Sequence, residues 1–510
     1  MLAMWGGISD VTFCPMADSP LLVHACALRS LWQRCIGAPA RDKWRTRHEK
    51  FAASPETDSK LTHGTIMPTA RANPADQPHE DDRRDSANVH GHKVSAGDIA
   101  IGVVIGRISE FFDFFVFGIG CVLVFPRVFF PFASELGGIF DSFAIFALAF
   151  IGRPLGSLFF QMLQREFGRG TKLTVALFLL GCTTAGIAFL PGYGSLGTVA
   201  IVALALLRFG QGFAIGGSWD GLASLLALNA PRNRRGWYAM IPQLGAPIGF
   251  ILVAGLFAYL LLSLSPQEFF GWGWRYPFFV AFAINVVALF ARLRLVVTPE
   301  YSALLKIREL EPSPVAELVR TQGRSIALGA FAPLASYALF HLVTFFALSW
   351  ALLFTRQSAA TFLLVQIAGA AVAVPCMLLS GLIADRFGRR ITLAIFGVLI
   401  AVYSGWTPLM LSGGTAAGYL FVIVGFALLG FSHAQAAGAV NSSFRSYFRY
   451  TGALITSDLG WLLGAAFAPL VALALSVYLG VGYVGLYLLS GAVGTLAALW
   501  FSRSGGLPND

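Results

Sequence analysis

From residue 98 onward the chain is a succession of apolar stretches. Each is long enough to cross about 30 Å of hydrocarbon as a helix rising roughly 1.5 Å per residue. Twelve are read, at 98–126, 138–163, 172–191, 197–228, 236–263, 274–295, 326–354, 359–384, 390–411, 415–442, 452–479 and 481–502. The break "VVTPEYSALLKIRELEPSPVAELVRTQGRS" divides them six and six. It gives an N-half (98–295), a linker (296–325), a C-half (326–503) and a tail (504–510). Residues 1–97 differ: they are polar, hold six of the eight histidines and end in "HEDDRRDSANVHGHK". Their apolar patch "LLVHACALRSLW" is too short and interrupted to span a bilayer, and it lacks the core and cleavage site of a signal peptide. A disordered cytoplasmic extension is expected there. Metal binding by its histidines is the weaker alternative, and a start of translation at Met67 is another.

The two halves repeat. "QREFGRGTKL" (164–173) matches "ADRFGRRITL" (384–393) at a shift of 220, and the same shift brings "GQGFAIGG" (210–217) near "GFSHAQAAG" (430–438). Two parallel six-helix repeats are a known transporter plan. The fold class expected is therefore an all-α membrane protein of twelve transmembrane helices in two six-helix bundles.

Composition agrees with the pattern. The chain is 56% hydrophobic and 12% charged, with a mean hydropathy of +0.70, whereas soluble domains are about a quarter charged. The net charge of +10 sits in short clusters between apolar runs, which fits cytoplasmic loops and not a nucleic-acid surface. One set of loops holds Arg165, Arg169, Lys172, Arg232, Arg234, Arg235, Lys306, Arg308, Arg320, Arg324, Arg386, Arg389, Arg390, Arg445 and Arg449; the alternate set holds little beyond Arg127, Arg275 and Arg356. The rich set is assigned to the cytoplasm, and with it both termini. The six cysteines show neither CxxC nor metal spacing and are read as unpaired.

Three ionisable residues interrupt the first apolar run, in "RISEFFDFFVFG" (107–118). Glu110 and Asp113 share a helix face, and Arg107 lies one turn before Glu110. A charge at that depth costs at least about 2.5–3.5 kcal/mol on insertion scales, so it needs a partner and faces the bundle interior or a cavity. Two readings are open: a proton or substrate site, and a static salt bridge that fixes helix register. The phenylalanines at 111, 112, 114, 115 and 117 cannot all face a cavity and are expected in lipid or in packing. Further polar groups inside apolar runs are Arg208, Gln211, Trp219, Asp220, Tyr337, His341, Gln366, His433, Gln435 and Asp458. Asp458 is the strongest of these, because an unpaired carboxylate there is expensive. The histidines are equally well read as packing residues.

Eight short motifs in order, "SEFFDFFVFG" (109–118), "GRPLGSLFF" (152–160), "LRFGQGFAIGGSW" (207–219), "PQLGAPIGF" (242–250), "GWRYPF" (273–278), "RLRLVVTPEY" (292–301), "GLIADRFGRR" (381–390) and "RYTGA" (449–453), resemble the major facilitator superfamily. More narrowly they resemble its metabolite:proton symporters, among them proline/betaine, shikimate, citrate and α-ketoglutarate permeases. The resemblance covers about residues 99–502. It implies two bundles rocking around a central cavity. Arg208 then becomes the natural cross-helix partner of the acids, and Glu110, Asp113, Arg208 and Asp458 become a buried charge network able to carry a proton, with Asp113 the slightly favoured carrier. Arg107, Gln211, Trp219, Asp220, Tyr337, His341, Gln366, His433 and Gln435 become candidates for the substrate cavity. Arg165, Glu166 and Arg169, with Asp385, Arg386, Gly388, Arg389 and Arg390, become a cytoplasmic latch, the alternative being a topology anchor. Asp385 either pairs with Arg386 or Arg389 or accepts hydrogen bonds from a helix N-terminus. Gly210, Gly212, Gly216, Gly217, Gly245 and Gly249 are read as sites of close helix contact, and Pro247 as a kink or hinge.

The chain departs from that family at three places. Arg107 stands where the family has Asn, Ser218 where it has Glu, and Gln164-Arg165-Glu166 where it has Gly-Asp-Arg. The acid nearest Ser218 is Asp220, and two positions turn a helix by about 200°. The extra positive charge favours an anionic substrate over a zwitterion. The expected function is secondary active transport of a small organic solute, a carboxylate-type metabolite, coupled to protons. The expected partners are that solute, protons and the lipid bilayer, for a monomer in a bacterial cytoplasmic (inner) membrane. Two alternatives stay open: a proton-independent facilitator or exchanger, motivated by Ser218, and a non-transporting sensor of transporter descent. No nucleophile elbow, HExxH or nucleotide-binding loop points to an enzyme, a cofactor or a metal.

Overall fold

Apolar segments of this length form helices because a helix satisfies its own backbone N–H and C=O groups where water is absent. The computed structural model describes residues 96–218, 223, 226, 230–297, 311–436 and 444–503, all within one unit, Asp81–Asp510. The N-terminal extension up to residue 95, Trp219 and Asp220, and the first part of the linker lie outside the described residues. The long helices are α1 (Ala96–Leu123), α2 (Glu135–Phe189), α3 (Thr198–Gly217), α4 (Arg235–Ser263), α5 (Tyr276–Val297), α6 (Val315–Phe354), α7 (Ala359–Phe387), α8 (Arg389–Ser412), α9 (Thr415–Ala436), α10 (Arg449–Tyr478) and α11 (Gly482–Arg503). Among the described residues, 10 helices are long and apolar enough to cross a membrane. Helix α1 is outside that set because Arg107, Glu110 and Asp113 charge its middle.

Helix α2, at 55 residues, contains two of the expected spans, broken at Gly168 with φ 85°. Gly388 ends α7 and starts α8 with φ 88°. These are the two glycines of the repeated "FGR", and both adopt a left-handed backbone that strains any residue with a Cβ. The repeat read from the sequence is thus a repeat of turn geometry.

Helix α2 runs along α3, α7 along α9 and α8 against α11; α1 contacts α4 and α5, and α6 contacts α10 and α11. The two halves of the chain meet where α4 packs on α7 and α2 on α10. On the α2–α3 seam the Phe213 carbonyl occupies the place where a Cβ on Gly156 would stand. Replacing Gly156 with leucine is expected to force the two helices apart, at about 1–3 kcal/mol or more. The monodisperse fraction in detergent chromatography should then fall roughly tenfold. An unchanged elution profile would show that the seam relaxes freely.

Helix α6 starts earlier than the sequence placed it, so residues 315–325 of the expected linker are already helical, with a break at Gln322. The reason is an apolar face: Leu318 is buried with Ile326, Phe444 and Phe448. Just before it, the Ser313 N–H donates to Thr451 Oγ1 at 2.8 Å. Further along, α6 loosens into a π turn at Leu342–Phe346. The phenylalanines of α1 are packed: Phe111, Phe112, Phe115 and Phe117 are all buried, and none faces lipid.

Candidate functional site

The three ionisable positions of α1 enter two separate networks. Glu110 lies between two guanidiniums, Arg107 Nη1 at 2.7 Å and Arg292 Nη2 at 2.8 Å. The Ser218 hydroxyl donates to the same carboxylate at 3.0 Å, and Arg292 Nη1 donates to the Ser218 carbonyl at 3.3 Å. Ser218, where the resemblance leads one to expect a second acid, is thus a hydrogen-bond donor to the acid already present.

Asp113, only 1% exposed, has no direct ion pair among the described residues. It accepts hydrogen bonds from Thr184 Oγ1 at 2.6 Å, Gln211 Nε2 at 3.2 Å and Asn285 Nδ2 at 3.4 Å. Arg208 reaches it only through Gln211, donating from Nη1 to Gln211 Oε1 at 3.0 Å. The guanidinium itself lies over Phe117 and Phe146, at 4.0 and 4.9 Å from the ring centres, where cation–π attraction replaces the missing counter-ion. This corrects the expected arrangement: Arg208 is not the ion-pair partner of the α1 acids. Arg292 takes that place for Glu110, and Gln211 stands between Arg208 and Asp113.

Asp458 does find a partner, and it comes from the other half of the chain. Arg153 Nε approaches Asp458 Oδ1 at 2.7 Å, and the Ser157 hydroxyl donates to Oδ2. Arg153 and Ser157 are one turn apart on α2, so this contact ties α2 to α10. Sequence reasoning missed both Arg153 and Arg292. The signal was present, since each is an arginine in a quoted motif whose other residues drew the attention.

Between these networks lies a cavity of about 50 Å³, lined by Arg107, Glu110, Phe114, Arg153, Arg208 and Trp461 among others. At roughly 30 Å³ per water it has room for one or two waters and not for a metabolite. Its roof is aromatic. Phe114 packs against Phe340, His341, Phe345 and Trp461 at ring-centre distances of 5.7 to 6.1 Å. Tyr337 stacks on Trp461 at 4.3 Å. His341 and His433, read as cavity residues or packing residues, sit inside this aromatic layer and are fully buried. Gln366 and Gln435 are corrections. Gln366 Nε2 donates to the carbonyls of Val343 and Thr344 in the π turn of α6, and Gln435 Nε2 donates to the Gly236 carbonyl at 3.3 Å. Both satisfy backbone instead of facing the cavity.

At the end of the molecule that carries the repeated motif, the two halves are clasped. Asp385 Oδ1 accepts the N–H of Gly236 at 2.7 Å and of Trp237 at 3.1 Å, at the start of α4. Of the two partners open to Asp385, the structure has the helix N-terminus. The first-half copy keeps a contact by other means: Tyr450 donates to Gln164 Oε1 at 3.2 Å and receives a hydrogen bond from Lys172 Nζ at 3.1 Å. Arg169 lies over the same tyrosine ring at 5.8 Å, Arg165 reaches the Pro312 carbonyl at 3.5 Å, and Glu166 is exposed. Arg386 lies over Phe387, and Arg390 donates to the Leu499 carbonyl. Asp385→Asn is therefore expected to change accessibility from this end more than Arg165→Gln does. A two-sided cysteine-labelling assay that finds equal changes would refute the difference. At the opposite end of the bundle a larger cavity of about 550 Å³ lies among Leu123, Arg127, Glu135, Leu264, Phe270 and Ala359.

The Major Facilitator Superfamily profile matches residues 111–457. The chain belongs to this superfamily. It is 35% identical over 414 residues to the inner membrane metabolite transport protein YhjE of Escherichia coli (strain K12), covering 79% of this chain and 93% of that one. It is 30% identical to the shikimate transporter of the same strain, over 77% and 91% of the two chains. Among solved structures it is similar to the partially occluded, inward-open xylose transporter XylE from E. coli, with a TM-score of 0.60 at 18% identity over 81% and 98% of the chains. This superfamily member is a multi-pass membrane transporter of small metabolites and not an enzyme.

Proposed function

We propose that the protein is a proton-coupled symporter of a small organic acid, working by alternating access in a bacterial inner membrane. The observation that carries this is the unequal treatment of two buried carboxylates: Glu110 is held by two arginines, while Asp113 has neutral donors only. An acid without a counter-ion in a low-dielectric interior is the one that gains and loses a proton at least cost. The central cavity, which Glu110 lines, is rimmed by Arg107, Arg153 and Arg208, three cations to one acid, a set that favours an anion. The substrate carboxylate then competes with Asp458 for Arg153, so binding loosens the α2–α10 contact that holds the halves together.

In this reading there are twelve spans in two six-helix bundles, because α1 crosses despite its charges and the two arms of α2 each cross. Both termini and the 296–325 linker are cytoplasmic, and the clasped end is the cytoplasmic one. Cysteines placed in the linker should react only after the cells are opened; labelling in intact cells would overturn the orientation. The function is tested by counterflow in proteoliposomes with a panel of carboxylates, sugars and betaines. A carboxylate should exchange, and an inward proton gradient should drive its accumulation. The Ser218 position supports a second reading, a proton-independent exchanger, which predicts counterflow without any effect of the gradient.

A further inference from the structure

Along its contact with α10, helix α2 carries a stripe of polar residues. Arg153 and Ser157 both reach Asp458, and Gln164 accepts from Tyr450 at 3.2 Å. Gln161 stands between Ser157 and Gln164. It is 4% exposed, and neither its Nε2 nor its Oε1 has a hydrogen-bond partner among the described residues. A buried amide with no partner at either end is rare, because desolvating it is costly.

The register of the two helices accounts for it. At about 100° per residue, Arg153, Ser157, Gln161 and Gln164 fall within roughly 80° of one another on α2. Gly152, Gly156 and Phe160 turn toward Phe209, Phe213 and Gly217 of α3, so Gln161 lies on the side of Ser157 away from α3. The helices run antiparallel: Ser157 is level with Asp458, and Gln164 with Tyr450. Four residues on from Ser157 is about 6 Å, and four residues back from Asp458 is the same distance. The residue at that level of α10 is Leu454, 2% exposed. A group that both donates and accepts thus meets an aliphatic side chain, in a seam whose levels on either side are paired.

The paired levels hold the seam shut, and the unpartnered amide works against them, since parting α2 from α10 gives it water. We infer that Gln161 is a built-in release of the α2–α10 seam, a positioning residue that keeps the clasped end able to open. Its amide is desolvated where the helices meet and hydrated where they part, so it raises the closed conformation relative to the open one. This role rests on alternating access as proposed above, and on neither the solute nor the proton.

A cysteine reporter on the wall of the central cavity, Ile215→Cys, tests this in the full-length protein in vesicles. An impermeant maleimide is applied from the clasped end, and the labelling of the parent's own cysteines is subtracted. Gln161→Met keeps the length of the side chain and removes both polar atoms. Labelling should slow at least about fivefold, the lower end of what one desolvated amide imposes on an equilibrium. Leu454→Gln gives the amide a partner at its own level and should slow labelling by a similar factor. A Gln161 that merely fills space predicts the opposite there, because a new polar group among apolar neighbours loosens the seam. Gln161→Met combined with Leu454→Gln moves the unpartnered amide to α10 and should return labelling to near the parent rate. Should Gln161→Met fail to reach the membrane, the sign of the change in Leu454→Gln decides alone. Parent-like labelling in Gln161→Met, or faster labelling in Leu454→Gln, would overturn the release and leave alternating access standing, since the reporter still reacts. No reaction from the clasped end in the parent or in any variant would overturn alternating access and the release with it.

Discussion

Asp458→Asn is expected to abolish uptake and to open the clasped end of the molecule. The carboxylate is 1% exposed, touches Arg153 at 2.7 Å and accepts from Ser157, so the amide keeps the shape and removes only the charge. Arg153 is then left without its anion where water is scarce. Breaking a buried pair from one side costs about 3–5 kcal/mol, equivalent to a shift of roughly two to three and a half decades in an equilibrium. That cost falls on the conformation in which α2 meets α10, so the population moves to conformations in which they separate. A cysteine introduced in place of Ile215, which lines the cavity, should label faster. The double change Arg153→Met with Asp458→Leu predicts the opposite labelling. Apolar side chains of similar volume often match or exceed a buried ion pair in stability, so the halves stay together, labelling is slow and uptake is again lost. Two variants equally dead in transport should therefore differ in accessibility. Normal uptake in Asp458→Asn, with unchanged labelling of the introduced cysteine in that background, would remove Arg153–Asp458 from the gating cycle.

The sequence made the superfamily legible because membrane helices announce themselves by length, and because the repeated "FGR" turns need glycine at Gly168 and Gly388 in both halves. It also made clear that Glu110 and Asp113 need company. Which company was not legible. Arg208 became the expected partner through the family resemblance, while Arg292, quoted only within "RLRLVVTPEY" near a helix end, was given no role. Only the rotation of α5 about its own axis brings Arg292 back to Glu110, and no linear pattern encodes that rotation. Arg153 was hidden for a similar reason: its partner lies far along the chain, on α10. Gln366 and Gln435 show the converse limit. A polar residue in the middle of a helix signals a hydrogen bond, but the sequence does not say whether that bond goes to a solute or to an irregular stretch of backbone. The π turn at Leu342–Phe346 has no sequence signature that would have directed Gln366 to it.

The second large effect separates the two acids of α1. Asp113→Asn should abolish proton-driven accumulation and leave counterflow intact, because counterflow needs substrate exchange without net proton movement. The substitution is the milder of the two on structure: the amide oxygen still accepts from Thr184 and Asn285, and the one bond lost, from Gln211 Nε2, leaves that group its bond to Thr184 Oγ1 at 2.9 Å. Arg208 retains Gln211 and its two phenyl faces, so no cation is stranded. Glu110→Gln is not gentle. It leaves Arg107 and Arg292 facing each other without the carboxylate that bridges them, and like charges in low dielectric repel strongly. Uptake and counterflow should both fall, and the amount of folded protein with them. A difference of about 3 kcal/mol or more between the two variants in thermal or denaturant stability follows from the cost of an uncompensated buried charge. The assignments would exchange if Glu110→Gln were the variant that exchanges substrate but cannot accumulate it. If both variants keep uphill uptake that responds to pH, the carboxylates of α1 hold helices together and the proton travels by another route.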